Sequence, residues 1–262
     1  MKNYFEINKD LWDKWAELHV NTKFYDIEAF KNGKSSLNKT ELNLLGDLKG
    51  KSILHLQCHF GQDSLSLARL GAQVTGVDLS EKGIEIAQSL AKELNLDVEF
   101  VCSNVLELDQ NLKGKFDIVY TSYGTIGWLP DLNQWGKIVN HFLKPGGKFV
   151  MVEFHPLMNM YDDDFSSLKY SYFKKDLVLL DESGSYADVD AKHVKGQSAT
   201  WDYSLSEAIM ALLNTGMTLH DFQEYDFSHY DIFKDSIKNE EGFQVKGLEG
   251  KLPLMFSLVV TK

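Results

Sequence analysis

Between Lys51 and Asp78 the chain alternates between two kinds of apolar pattern. Ile53, Leu54 and Leu56 form a short, nearly continuous apolar run, as a parallel strand buried on both faces requires. Gly61 interrupts it, and Leu65, Leu67, Ala68 and Leu70 then recur on a helical period over Gln62–Leu70. Val74, Gly76 and Val77 make a second run that stops at Asp78. Ser80 stands where a helix N-cap is needed, ahead of Ile84, Ala87, Leu90, Ala91 and Leu94. Asp97–Cys102 and Phe116–Thr121 read as further strands. Asp131–Leu143 reads as a helix with Leu132, Trp135, Ile138, Val139 and Phe142 inward. Pro145-Gly146-Gly147 ends that helix, and Lys148–Phe154 is a fifth strand. Alternation of this kind with short links predicts an α/β protein with a doubly wound, mostly parallel sheet.

The flanks read differently. Asn8–His19 carries Leu11, Trp12, Trp15 and Leu18 on one stripe, so an amphipathic helix is expected with both tryptophans in the core. Lys31–Ser36 is a loop, and a second helix is expected over Asn38–Leu48, with Asn38 and Glu41 at capping-box spacing. After His155-Pro156, residues 157–203 are aromatic and acidic without a helical period. They are expected to form an insertion over the sheet's ligand edge, with Leu168–Lys175 as a possible strand. Ser204–Thr215 is a helix closed by Gly216, and Thr218–Tyr225 and Leu252–Thr261 are final strands. The expected organisation is one domain: a helical lid (1–50), a ligand-binding core (51–156), the insertion (157–203), and a last helix with strands (204–262).

A chain of 262 residues, 44% hydrophobic and 25% charged, suits one soluble α/β domain with an insertion. The net charge of −11 argues against a nucleic acid as partner, because binding that polyanion is driven by a basic surplus. The N-terminal MKNYFEINKDLWDKW has no apolar leader and no run reaches membrane-spanning length, so a cytoplasmic protein with no membrane partner is expected. Cys58 and Cys102 are expected as buried free thiols. Asp162-Asp163-Asp164 cannot all face one ion on regular structure, so a solvated loop and no metal are expected.

Strand, glycine turn, helix, strand, acid is the layout that sets a ligand against a helix N-terminus and a carboxylate near its ribose. Dinucleotide sites want G-x-G-x-x-G, whereas the turn Gln57–Asp63 has Gly61 alone. Backbone approach to a pyrophosphate is obstructed, which disfavours a nicotinamide oxidoreductase. A cofactor without a diphosphate fits better, and S-adenosylmethionine is such a cofactor.

Five segments in order strengthen this: ILHLQCHFG, GVDLS (Gly76–Ser80), FVCSNV (Phe100–Val105), FDIVYTSYG (Phe116–Gly124) and LKPGGKFVMVE (Leu143–Glu153). Together they resemble the motifs of class I S-adenosylmethionine-dependent methyltransferases, strongly over Lys51–Pro156 and more weakly beyond. The LHLQCHFGQD turn, the GTIGWLPDL loop and the EFHP end resemble a bacterial subgroup of small-molecule type. The resemblance implies a seven-stranded sheet with its last strand antiparallel, and S-adenosylmethionine across the carboxyl ends of the first, second and fourth strands. It implies in-line methyl transfer to an O, N, S or C nucleophile of a small molecule; the chain itself is expected as a monomer or homodimer. Asp78 would then bind the ribose hydroxyls, and Asn104 with Val105 would meet adenine. Gln57, His59, Gly61, Gln62, Asp63, Leu79 and Ser122 would complete the cofactor site. Tyr123 and His155 are the catalytic candidates, His155 as a general base; Tyr25, Trp128 and Tyr203 are expected on the substrate side.

Three departures stand out: His55 where the family has an acid, Gln57 and His59 where it has glycines, and Asn104 where Asp is usual. His55 and His59 are therefore either structural or ligand-facing, and Trp128 either covers the pocket or packs the next helix. The same departures leave open a non-catalytic cofactor-binding protein of this fold.

Overall fold

The computed structural model describes residues 3–162, 164–173 and 176–262. Asp163 of the acidic run, and Lys174 and Lys175 of the expected strand, lie outside the described residues.

Helices α1 (Tyr4–His19), α2 (Ile27–Lys31) and α3 (Lys39–Leu45) precede the sheet. Then β1 (Ser52–Leu56), α4 (Gln62–Arg69), β2 (Gln73–Asp78), α5 (Glu81–Glu93), β3 (Val98–Cys102), α6 (Leu108–Asn111), β4 (Phe116–Ser122), α7 (Leu132–Phe142) and β5 (Leu143–Phe154) alternate as expected. A hairpin of β6 (Val178–Ser183) and β7 (Lys195–Thr200) follows, then α8 (Leu205–Leu213) and β8 (Thr218–Tyr225). A short pair, β9 (Ser236–Lys238) with β10 (Phe243–Val245), and β11 (Met255–Thr261) complete the chain. Among the described residues seven strands share one sheet in the order β3-β2-β1-β4-β5-β11-β8. β1 to β5 pair in parallel, and β11 runs antiparallel between β5 and β8, so the expected antiparallel last strand is present.

Both sheet faces are covered. On one, Leu54, Leu56 and Val119 meet Trp135, Ile138 and Phe142 of α7 and Ala208 and Leu212 of α8. On the other, Ile53, Val74, Ile118 and Val150 meet Leu45 and Leu67, while Phe60, Leu65, Ile84, Ala87 and Phe100 form an adjoining core. Adjacent strand residues point to opposite faces, so burial on both sides explains the unbroken apolar runs. Asp131 and Ser80 cap α7 and α5, accepting from Gln134 N and Gly83 N.

Several expectations are corrected. Asn38 makes no side-chain cap bond; its Nδ2 instead donates to Glu41 Oε1 at 3.0 Å, so the two side chains pair with each other. Leu168–Phe173 forms no strand beyond a single bridge of Leu168 to Tyr161. The strands of this region are β6 and β7, whose exposed Leu179 and Leu180 lack a half-buried alternation. Their hairpin is held on α1 by tertiary contacts: Asn8 Nδ2 donates to Ala199 O and Asn8 Oδ1 accepts from Ala199 N, each at 2.8 Å. Trp15 Nε1 donates to Gly184 O at 2.9 Å. Both cysteines are free thiols, but Cys102 at the end of β3 is exposed, and only Cys58 is buried. Among the described residues no helix is long and apolar enough to cross a membrane.

Candidate active site

The β1–α4 turn is built on left-handed backbone. Gln57, His59 and Gly61 have φ of 54°, 53° and 81°. Side chains in this region cost roughly 1–2 kcal/mol each, so Gln57 and His59 need compensating bonds. Gln57 Nε2 donates to Thr125 O at 2.7 Å, and His59 N donates to Asp78 Oδ2 at 2.8 Å. Asp78 Oδ1 accepts from Ser80 N at 2.8 Å, so one carboxylate ties the turn after β1 to the start of α5. Burial pushes Asp78 up to about 6, against the pull of these backbone donors.

Gly61 is needed here for a reason other than ligand approach. A Cβ at this position would lie 2.7 Å from two ring atoms of Phe100 and 2.9 Å from Ala87 Cβ. A Cβ on Gly76 would likewise lie 2.7 Å from that ring. The two glycines make room for Phe100 beneath the turn.

A cavity of about 600 Å³ opens here. Tyr25, Gln57, His59, Gly61, Gln62, Asp63, Asp78, Leu79, Asn104, Val105, Ser122, Tyr123 and Trp128 all line it. Trp12 and Trp15, expected in the core, line it too; the Trp12 ring lies edge-on to His59 at 5.2 Å and to Trp128 at 5.1 Å. Gln62 Nε2 donates to Tyr25 O at 2.8 Å, and Asn104 Oδ1 accepts from Leu106 N at 3.1 Å. Ser122 Oγ approaches Asp63 Oδ2 at 3.4 Å, and burial raises the Asp63 carboxyl. Gln57 Oε1, His59 Nδ1 and the Tyr123 hydroxyl are buried without a hydrogen-bond partner among the described residues.

Two candidates fall outside the cavity lining. His155 caps the turn after β5: its Nδ1 accepts from Leu157 N at 3.1 Å and its Nε2 lies 3.0 Å from Glu224 Oε1. Both nitrogens are engaged, the residue is 4% exposed, and it is not among the residues that line the cavity. Tyr203 donates its hydroxyl to Leu129 O at 2.6 Å, bracing the loop that carries Trp128 rather than facing the cavity. His55 is on the cavity's edge, with Nδ1 2.8 Å from Ser64 Oγ; burial holds it neutral, near 3. Glu153, at the end of β5, accepts from the backbone N–H groups of Gly124, Thr125, Ile126 and Phe154 and so shapes the loop after β4.

Other contributors lie far from the sequence motifs. His19 of α1 bridges His59 and the insertion: its Nδ1 is 2.9 Å from His59 Nε2 and its Nε2 is 2.9 Å from Ser185 Oγ. Burial keeps His19 neutral, near 3. Tyr25 and Tyr186 share a hydrogen bond of 2.5 Å between hydroxyls. Tyr230 lines the cavity from the segment before β9. Glu41 of α3 is fully buried and is pushed up to about 7 by burial, with Asp63 adding to the rise. Of these, Tyr25 is expected from its loop position, and Glu41 shows only as the Asn38–Glu41 spacing, which reads as a cap.

Residues 53–147 match the family model of a methyltransferase domain. A ubiquinone biosynthesis O-methyltransferase of Bordetella avium is 36% identical over 139 residues, 52% of this chain and 56% of that protein. One from Coxiella burnetii is 37% identical over 101 residues, 38% of this chain and 42% of the relative. The chain thus spans about half the length of the curated relatives it matches. Among solved structures, an S-adenosylmethionine-dependent methyltransferase from Clostridium acetobutylicum superposes with a TM-score of 0.61 at 15% identity, covering 95% of this chain and 98% of that one. Another, from Mesorhizobium loti, gives 0.55 at 17% identity, covering 88% and 100%. The fold is that of this methyltransferase architecture, seven strands with the last antiparallel.

Proposed function

We propose that this protein is an S-adenosylmethionine-dependent methyltransferase acting on a small molecule. The observation that carries the reading is the cavity at the carboxyl ends of β1, β2 and β4, where Asp78 sits beside the unpartnered Gln57 Oε1 and His59 Nδ1. Those atoms fit a ligand bearing hydroxyl and ammonium groups, and the matched domain model supports the same reading.

When bound, the cofactor supplies a methyl group already activated on a sulfonium. In this reading Asp78 accepts from the ribose hydroxyls, and Leu79, Asn104 and Val105 border the adenine. Gln57, His59, Gly61, Gln62, Asp63 and Ser122 surround the methionyl part. Tyr123 stands at the acceptor end, and Tyr25 and Trp128 close the pocket with Trp12 and exclude water. The chain's task is alignment in a dry site. The relatives named O-methyltransferase favour a hydroxyl oxygen as acceptor. The charge of −11 favours a partner other than nucleic acid. Gln57 and His59 keep the left-handed backbone that glycines would adopt, so the turn retains the shape the cofactor site needs.

Calorimetric titration with S-adenosylmethionine and S-adenosylhomocysteine tests this. Wild type is expected to bind both, and Asp78→Ala to bind roughly 100-fold more weakly, the loss of hydrogen bonds to a charged acceptor. No binding by wild type, or equal binding by the folded variant, would refute the reading.

A further inference from the structure

Asn38, Tyr123 and Tyr230 meet in one part of the cavity wall. The Tyr123 and Tyr230 rings lie edge-on at 4.9 Å, and Asn38 Nδ2 is 3.4 Å from the Tyr230 hydroxyl. Glu41 sits behind them, fully buried, with Oε1 accepting from Asn38. Its second oxygen, Oε2, has no hydrogen-bond partner among the described residues, and neither do the hydroxyls of Tyr123 and Tyr120. A structural carboxyl group has both oxygens satisfied as a rule, because a buried unpaired one costs about 1–3 kcal/mol. One of those unpartnered hydroxyls, Tyr123, lines the cavity, and Asn38 and Tyr230 link it to Glu41. Against the burial that raises both groups, the hydroxyl draws the Glu41 carboxyl down; with it, the carboxylate holds the Tyr123 hydroxyl protonated.

We propose that Glu41 is the proton sink of the reaction, receiving through the Tyr123 hydroxyl the proton of a hydroxyl-bearing acceptor. This deepens the methyltransferase reading and rests on it. The acceptor oxygen forms the new O–C bond while the S–C bond breaks and leaves its electron pair on sulfur. The acceptor's proton passes to the Tyr123 oxygen as Tyr123 gives its own to Glu41 Oε2. A sulfonium and a carboxylate are neutralised in the same event, so no uncompensated charge is left in the cavity. The groups facing Glu41 are Asp63 of α4, Tyr120 and Tyr123 of the β4 end, Tyr230, and Asn38; His229 bonds the neighbouring Thr40 Oγ1 at 2.8 Å. Burial, with Asp63 nearby, brings Glu41 to about 7, where a carboxylate is an effective base at neutral pH.

The test uses the full chain, with S-adenosylmethionine and catechol, whose hydroxyls stay protonated through neutral pH, as probe acceptor, in wild type, Glu41→Gln and Glu41→Asp. Wild-type kcat is expected to rise with pH through a midpoint of about 7. Glu41→Gln should lose roughly 100-fold or more in kcat and the pH dependence with it, at unchanged S-adenosylhomocysteine affinity by calorimetry. Glu41→Asp should keep the pH-dependent limb, and it decides the matter if the glutamine variant fails to fold. Wild-type rates or an unaltered profile in Glu41→Gln would overturn the proposal. So would a wild type that binds the cofactor but leaves catechol unmethylated. A wild type that binds no cofactor would instead overturn the reading beneath it.

Discussion

Gly61→Ala distinguishes a glycine kept for ligand approach from one kept for packing. The new Cβ would sit 2.7 Å from Phe100 Cε1 and Cζ and 2.9 Å from Ala87 Cβ, and the residue must hold φ of 81°. The left-handed backbone costs about 1–2 kcal/mol. Overpacking costs about 1–3 kcal/mol, since both neighbours are buried and neither can withdraw freely. Reduced freedom of the unfolded chain returns about 0.5 kcal/mol. The net loss is about 3 kcal/mol, read as a shift of the urea midpoint or a fall in Tm of roughly 6–12 °C. Phe100→Leu in the same chain shortens the obstructing ring, so the double variant should lose less than the two single losses combined, by about 1–2 kcal/mol. The backbone component should remain. S-adenosylhomocysteine affinity should recover with stability. Strict additivity, or a double variant that is stable yet still binds weakly, would refute the packing account.

Glu41 also predicts a pH signature of stability. Its folded value of about 7 lies above the ordinary 4.5, so its protonated form favours the fold. That contribution is complete below 4.5 and is lost as pH rises through about 7, for about 3 kcal/mol in total. Glu41→Gln cannot ionise, so urea titrations across this range should show it gaining about that much on wild type; parallel curves would contradict it. Ser80 Oγ accepts from Gly83 N at 2.9 Å and donates to Asp13 Oδ1 at 2.7 Å, joining α5 to α1. Ser80→Ala should therefore cost about 1–2 kcal/mol by chemical denaturation, and an unchanged midpoint would remove both bonds from the account.

The α/β alternation was legible in the sequence because it depends on local signals, whereas the antiparallel last strand and most of the cavity-lining residues were expected from the resemblance of five motifs to methyltransferases. Apolar runs buried on both faces, caps such as Ser80 and Asp131, and the acid ending β2 follow from periodicity and turn chemistry within a few residues. What only the tertiary structure decided involves partners distant in the chain. Asn8 pairs with Ala199, so the β6–β7 hairpin exists by docking rather than by its own pattern. Trp12 and Trp15 sit on a stripe that any core helix would show, and only the position of α1 turns it to the cavity. His155 looked exposed to chemistry at a strand's end, but Glu224 on β8 and the turn it caps occupy both nitrogens. Glu41 read as a helix cap, and its burial behind Tyr123 and Tyr230 depends on three segments meeting. Local pattern fixes which face of an element is apolar; burial, charge compensation and proton affinity are set by what the rest of the chain brings against that face.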